Sequence, residues 1–204
     1  FPTRRSSELD LVHAAFYLSD YGRKTLSLPE PALQSLQGLG CLAHLEQNGD
    51  LLAEVCIALH HAGQAVPDLW AGFLAAEARS FSIEPAPCAD SSDAYHNYLV
   101  SQWLIGTMGE VAFKASPGTG PMSFRLPASP PSPLREWSQA LQALGPRRSV
   151  VWQDMRDACL PRISARALAV ADAGAAGSPG FAAFFAAFAR ATGPDRPSGI
   201  RGIA

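Results

Sequence analysis

The sequence lacks any apolar run of membrane-spanning length. Its longest, such as Phe181 to Phe188, falls far short of the roughly 20 residues a bilayer helix needs. No C-x-x-C pair exists among its four cysteines, Cys41, Cys56, Cys88 and Cys159, which removes the usual zinc clip and redox couple. They read as free thiols, with a disulfide as the alternative in a domain large enough to build its own core. There is no G-x-S-x-G elbow, and the stretch Ser116-Pro117-Gly118-Thr119-Gly120 has no following Lys-Ser/Thr to make a phosphate loop. Nucleophilic hydrolases and nucleotide binders of those kinds are therefore unsupported. With 17% charged residues and a net charge of -2, the chain is neither a highly charged disordered polymer nor a generally basic nucleic-acid binder. Sparse β-branched residues and the lack of a two-residue hairpin turn between alternating runs leave little signal for strands.

What is present is helical periodicity punctuated by Pro and Gly. From Leu9 to Tyr21, apolar residues at Leu11, Val12, Ala15, Phe16 and Leu18 share one face, and Gly22 is placed to cap the end. After Pro29 and Pro31, leucines at 33, 36, 39, 42 and 45 lead to an Asn48-Gly49 turn. Asp50 to Ala62 closes at Gly63, and Pro67-Asp68 opens Leu69 to Phe81. Ser92-Asp93 caps a fifth helix expected to run to about Phe113. From 115 to 133 the composition turns to Gly, Pro and Ser, as in a linker or long loop. Beyond it, Leu134 to Leu144, Val150 to Ala173 with a break near Pro161, and Pro179 to Ala191 read as three more helices, followed by a disordered tail over 193–204. The leading Phe1 to Glu8 has no helical periodicity and resembles translated adapter sequence. It is set apart as a non-native leader.

The most informative organisation is a repeat. Sliding Leu9-Asp10-Leu11-Val12-His13 forward by 41 residues lays it on Asp50-Leu51-Leu52-Ala53-Glu54 in the same apolar phase, with Gly22 meeting Gly63. A further 42 residues brings His96 into the same place. Because single helix pairs cannot bury their apolar faces, the expected fold is all-α, with stacked helix pairs over 9–114 in an α-solenoid or α/α array. The C-terminal helices over 134–192 join the same domain, and an irregular helical bundle is the alternative.

Equivalent positions in three neighbouring helices would then carry His13, Glu54 and His96. Two imidazoles and a carboxylate are a ligand set for zinc or non-haem iron. Asp10 and Asp93 each stand three residues before a histidine, on the same helical face, where a carboxylate can orient an imidazole. The competing account makes both aspartates helix-start residues and both histidines partly buried and hydrogen-bonded. His60 and His61, being adjacent, face different sides of a helix and read as surface residues. Trp70, Trp103, Trp137 and Trp152 read as packing residues.

From Arg135 onward nine arginines stand against five acids, whereas the rest of the chain is acidic. Arg147, Arg148, Arg156, Arg162 and Arg166 could line up as a basic strip for carboxylates or phosphates of a partner, the alternative being a solvated surface. Aromatics are not interleaved with them, which argues against nucleic acid.

The string from Asp10 to Gly22 (DLVHAAFYLSDYG), the Asp50 to Glu54 helix and Tyr95-His96 resemble a family of helical actinobacterial proteins described only as a domain of unknown function. The likeness covers Asp10 to about Ala173. It implies a helical fold in a bacterial cytoplasm and no particular reaction. Two functions compete. One is a peptide- or protein-binding accessory module; the other is a metal-assisted enzyme, hydrolytic or oxidative, with His13, Glu54 and His96 holding Zn or Fe.

Overall fold

The computed structural model describes residues 4–86, 93–114, 118–128 and 130–189. Among them, the helices are α1 (Arg4–Leu18), α2 (Glu30–Glu46), α3 (Gly49–His61), α4 (Asp68–Ser80), α5 (Tyr95–Thr107), α6 (Pro133–Leu144), α7 (Trp152–Cys159), α8 (Ala165–Gly177) and α9 (Phe181–Ala189). The fold is mostly helical, as the periodicity predicts. No helix among the described residues is long and apolar enough to cross a membrane. The expected tail over 193–204 lies outside the described residues. So does Cys88, while Cys41, Cys56 and Cys159 are buried free thiols. Because α1 begins at Arg4, part of the segment set apart as a leader is helical.

The helix ends follow local chemistry. Asn48 caps α3, its side-chain oxygen accepting from Leu51 N at 3.2 Å, just after Gln47 turns left-handed to close α2. Proline starts α2 and α6, where a missing N–H costs nothing. The expected break near Pro161 is real: a short 3₁₀ turn, Leu160–Arg162, divides α7 from α8. The fifth helix is shorter than expected, stopping at Thr107 with Gly109 left-handed just beyond it.

Two strands correct the sequence reading. β1 (Ser82–Pro85) and β2 (Met122–Arg125) pair antiparallel, with Ile83 opposite Phe124 and Pro85 opposite Met122. β2 lies inside the Gly/Pro/Ser stretch taken for a linker. Its Phe124 is buried against Tyr98 of α5, with ring centroids 5.0 Å apart, so the stretch is tied to the helical core.

Packing radiates from α3. Every residue from Leu52 to Leu59 is buried, as expected of a helix enclosed on all sides. It touches α1, α2, α4 and α5, while α2 also carries α6, α8 and α9. The expected stack of helix pairs is not shown: α1 and α5 both lie against α3, but the distant C-terminal helices pack onto α2, whereas in a solenoid each unit touches only its neighbours.

Candidate functional site

Within the buried run of α3 stands one charged residue, Glu54. Its relative exposure is 4%, and Oε2 has no hydrogen-bond partner among the described residues. Burial of a lone carboxylate disfavours its charged form. That desolvation, with Asp50 one turn away adding repulsion and His96 opposing it, pushes the Glu54 pKa up to about 7.

A chain of polar contacts sets α5 against α3. Asn97 donates to Glu77 Oε1 of α4 at 3.1 Å and accepts from Ser101 at 3.2 Å. The Glu77 carboxylate lies against Gly49, where a Cβ would collide with it, so glycine at the start of α3 permits the approach. Burial, with Asp50 adding to it, raises Glu77 above the usual carboxylate range, against the hydrogen bond from Asn97. With Asn97 fixed, the preceding His96 lies over the first turns of α3. Its Nδ1 is 2.8 Å from Asp50 Oδ1 and its Nε2 is 4.0 Å from Glu54 Oε1. A carboxylate can only accept, so in the neutral ring the proton belongs on Nδ1, and the Nε2 lone pair faces Glu54.

Glu54 and His96, but not Asp50, line a cavity of about 430 Å³ together with His13, Phe16, Tyr17, Tyr21, Trp103 and Phe113. Its aromatic wall is built by the end of α1. Ser19 Oγ donates to Phe16 O and accepts from Gly22 N, and Asp20, Tyr21 and Gly22 then take successive positive φ values. That costly turn brings Tyr21 within 6.0 Å of the Trp103 ring. Phe16 packs on the same indole at 4.7 Å. Phe113, also at positive φ, is pinned at the rim by its N–H to Gln102 Oε1 at 2.6 Å.

The three positions singled out by the repeat, His13, Glu54 and His96, thus line one cavity. The cluster with metal-ligand spacing is different: Asp50, Glu54 and His96 bring ligand atoms within 4.8 Å of one another, and His13 is not among them. The carboxylate beside the imidazole is Asp50, and both aspartates assigned that place need correction. Asp10 is exposed on α1, away from the cavity lining. Asp93 accepts from Tyr95 N and Phe124 N at 3.0 Å each, joining the start of α5 to β2, as its helix-start reading implies. The sequence does carry a signal for Asp50, an i, i+4 carboxylate pair with Glu54, whereas Asp10 and Asp93 stand on the histidines' own helices.

His60 is exposed, as expected, and His61 is half-buried, but the two do not face different sites: both line an adjoining cavity of about 640 Å³ that shares Tyr21, Trp103 and Phe113 with the first. The His61 ring lies 6.2 Å from Trp103 and fills the space beside Gly22, where a Cβ would collide with it. Burial, with His60 adding to it, lowers the His61 pKa, and Nε2 is buried without a partner.

The arginines do not form one free strip. Arg156 grips Asp172 through two hydrogen bonds of 2.7 and 2.9 Å, Arg166 donates to Pro131 O at 2.9 Å, and Arg148 donates to Gly145 O at 3.1 Å. Arg147 and Arg162 remain exposed.

The model of a family described as a domain of unknown function, DUF6902, matches residues 1–191. No curated protein and no solved structure matches the chain.

Proposed function

We propose that this chain, which belongs to the DUF6902 family, is a binding module whose cleft between α1, α3 and α5 takes a cation. The observation that carries the reading is Glu54, a carboxylate enclosed in the central helix with one oxygen unpartnered at the polar end of an aromatic-walled cavity. A buried charge without a counter-ion is costly, and substitution by an apolar side chain would remove the cost. Retaining the acid there makes sense if a positive group completes it. Asp50 supplies a second negative charge nearby, and the faces of Tyr17, Tyr21 and Trp103 favour cations electrostatically. Tyr17 and Tyr21 are 66% and 53% exposed at the mouth, where the remainder of a ligand, or the partner presenting it, would rest.

The test is thermal unfolding and tryptophan fluorescence at pH 7.5 with two cations, benzyltrimethylammonium chloride and zinc chloride, on wild type and Glu54→Gln. At least one cation should raise the wild-type Tm by several degrees and leave Glu54→Gln unmoved. Wild type indifferent to both, or a Gln variant that responds equally, removes the reading.

A further inference from the structure

We propose that the cation is a divalent first-row transition ion, held by Asp50, Glu54 and His96; the inference rests on the cation-binding reading above. The three residues offer one nitrogen and two carboxylates with ligand atoms within 4.8 Å of each other. Imidazole suits zinc and iron, and two carboxylates balance a charge of +2, which an organic ammonium would leave half neutralised. Two further observations go beyond the cluster itself. Glu54 is more than nine-tenths buried, and its unpartnered Oε2 belongs to a side chain lining the cavity. The His96 Nε2 lone pair faces Glu54 Oε1 across 4.0 Å, near the sum of two metal–ligand bonds of about 2.0–2.1 Å. Exposed His96 has room to close that gap to a tetrahedral edge.

Asp50 already meets the ring at Nδ1. It can ligate through its second oxygen or stay on Nδ1 and hold the imidazole in the tautomer that presents Nε2. Either way, few protein ligands occupy the ion, and the vacant positions face the aromatic cavity. Catalytic zinc sites keep such a position for water, whereas structural sites close it. A metal-assisted reaction on a ligand lying along Tyr17, Tyr21 and Trp103 would begin there.

The experiment titrates chelator-treated full chain with Zn2+ by calorimetry, records visible absorption with Co2+, and repeats both on Glu54→Gln, His96→Ala and Asp50→Asn. One Zn2+ per chain is expected, weakened about 100-fold or more in Glu54→Gln and His96→Ala and about 10- to 100-fold in Asp50→Asn, with unchanged circular dichroism. Co2+ should give tetrahedral or five-coordinate bands that vanish in His96→Ala. Zn2+ binding that persists in both Glu54→Gln and His96→Ala overturns the proposal, because the ion then sits elsewhere. Absence of Zn2+ and Co2+ binding alongside Glu54-dependent binding of benzyltrimethylammonium also overturns it and leaves the cation-binding reading standing. Failure of all three ligands removes both.

Discussion

In α6 to α9, Trp137 donates its buried indole N–H to Ala167 O at 2.9 Å, Arg156 meets Asp172 in a two-pronged pair, and Glu136 accepts from the backbone and hydroxyl of Ser164. Around α3, by contrast, Glu54 Oε2 and His61 Nε2 are buried without a partner among the described residues, and three consecutive residues after α1 hold positive φ. Among the described residues the unpartnered buried side-chain atoms belong to His44, Glu54, His61 and Ser132, the last at the very start of α6, and none lies within α6 to α9 themselves. The C-terminal helices meet their polar groups inside the protein. The α1/α3/α5 row tolerates strain and unmet hydrogen bonds in the place where a ligand could supply what is missing.

The largest expected effect breaks the stable side. Trp137, 1% exposed and packed on Trp152 at 4.8 Å, should cost about 3–5 kcal/mol when changed to alanine, read from urea unfolding. Trp103→Ala, on the half-buried cleft wall, should cost about 1–2 kcal/mol and abolish the fluorescence response to cation. Equal losses at the two tryptophans would erase the contrast between the regions.

Next in size is Gly22→Ala. A φ of +83° strains any side chain, and the new Cβ would press on the His61 ring. A loss of about 1–2 kcal/mol is expected, together with weakened cation binding as Tyr21 and His61 shift. Binding that stays intact while stability falls would detach the α1 turn from the site.

Much of this organisation could be read in the sequence because it is local. Asn48-Gly49, Pro67-Asp68 and the leucines of α2 mark their helices through periodicity and capping within a few residues. The pair β1/β2 could not be read so: four-residue strands separated by 36 residues, one ending in Pro85, have no local turn to announce them. The offset relates three residues, His13, Glu54 and His96, that line one cavity. It missed Asp50 because the partner of His96 lies across a helix contact, 46 residues away, and periodicity within one helix cannot report that. The same limit holds for the arginines. Whether Arg156 is free depends on Asp172 in the next helix.

The smallest effects separate two buried titratable groups with opposite signs. His44 is 4% exposed between Phe73 and Gly174, and burial lowers its pKa from 6.5, the Val170 backbone opposing it. The unfolded chain therefore takes up a proton as pH falls through 6.5 before the folded chain does. Its contribution is fully present above 6.5 and is lost on the acid side. Glu54 works the other way in the metal-free protein. Burial, with Asp50 adding repulsion and His96 opposing it, raises its pKa from 4.5 to about 7, so its contribution is present below 4.5 and lost as pH climbs to about 7. Between 4.5 and 6.5 the two slopes oppose each other and flatten the wild-type curve. Chemical unfolding in chelator from pH 5 to 8 should separate them. Relative to wild type, His44→Leu should make stability fall more steeply with rising pH and Glu54→Gln should make it fall less, His61 and Glu77 keeping their own opposed shifts in both variants. If both variants keep the wild-type profile, neither buried group differs between folded and unfolded states, and the α3 row has no unmet charge for a cation to satisfy.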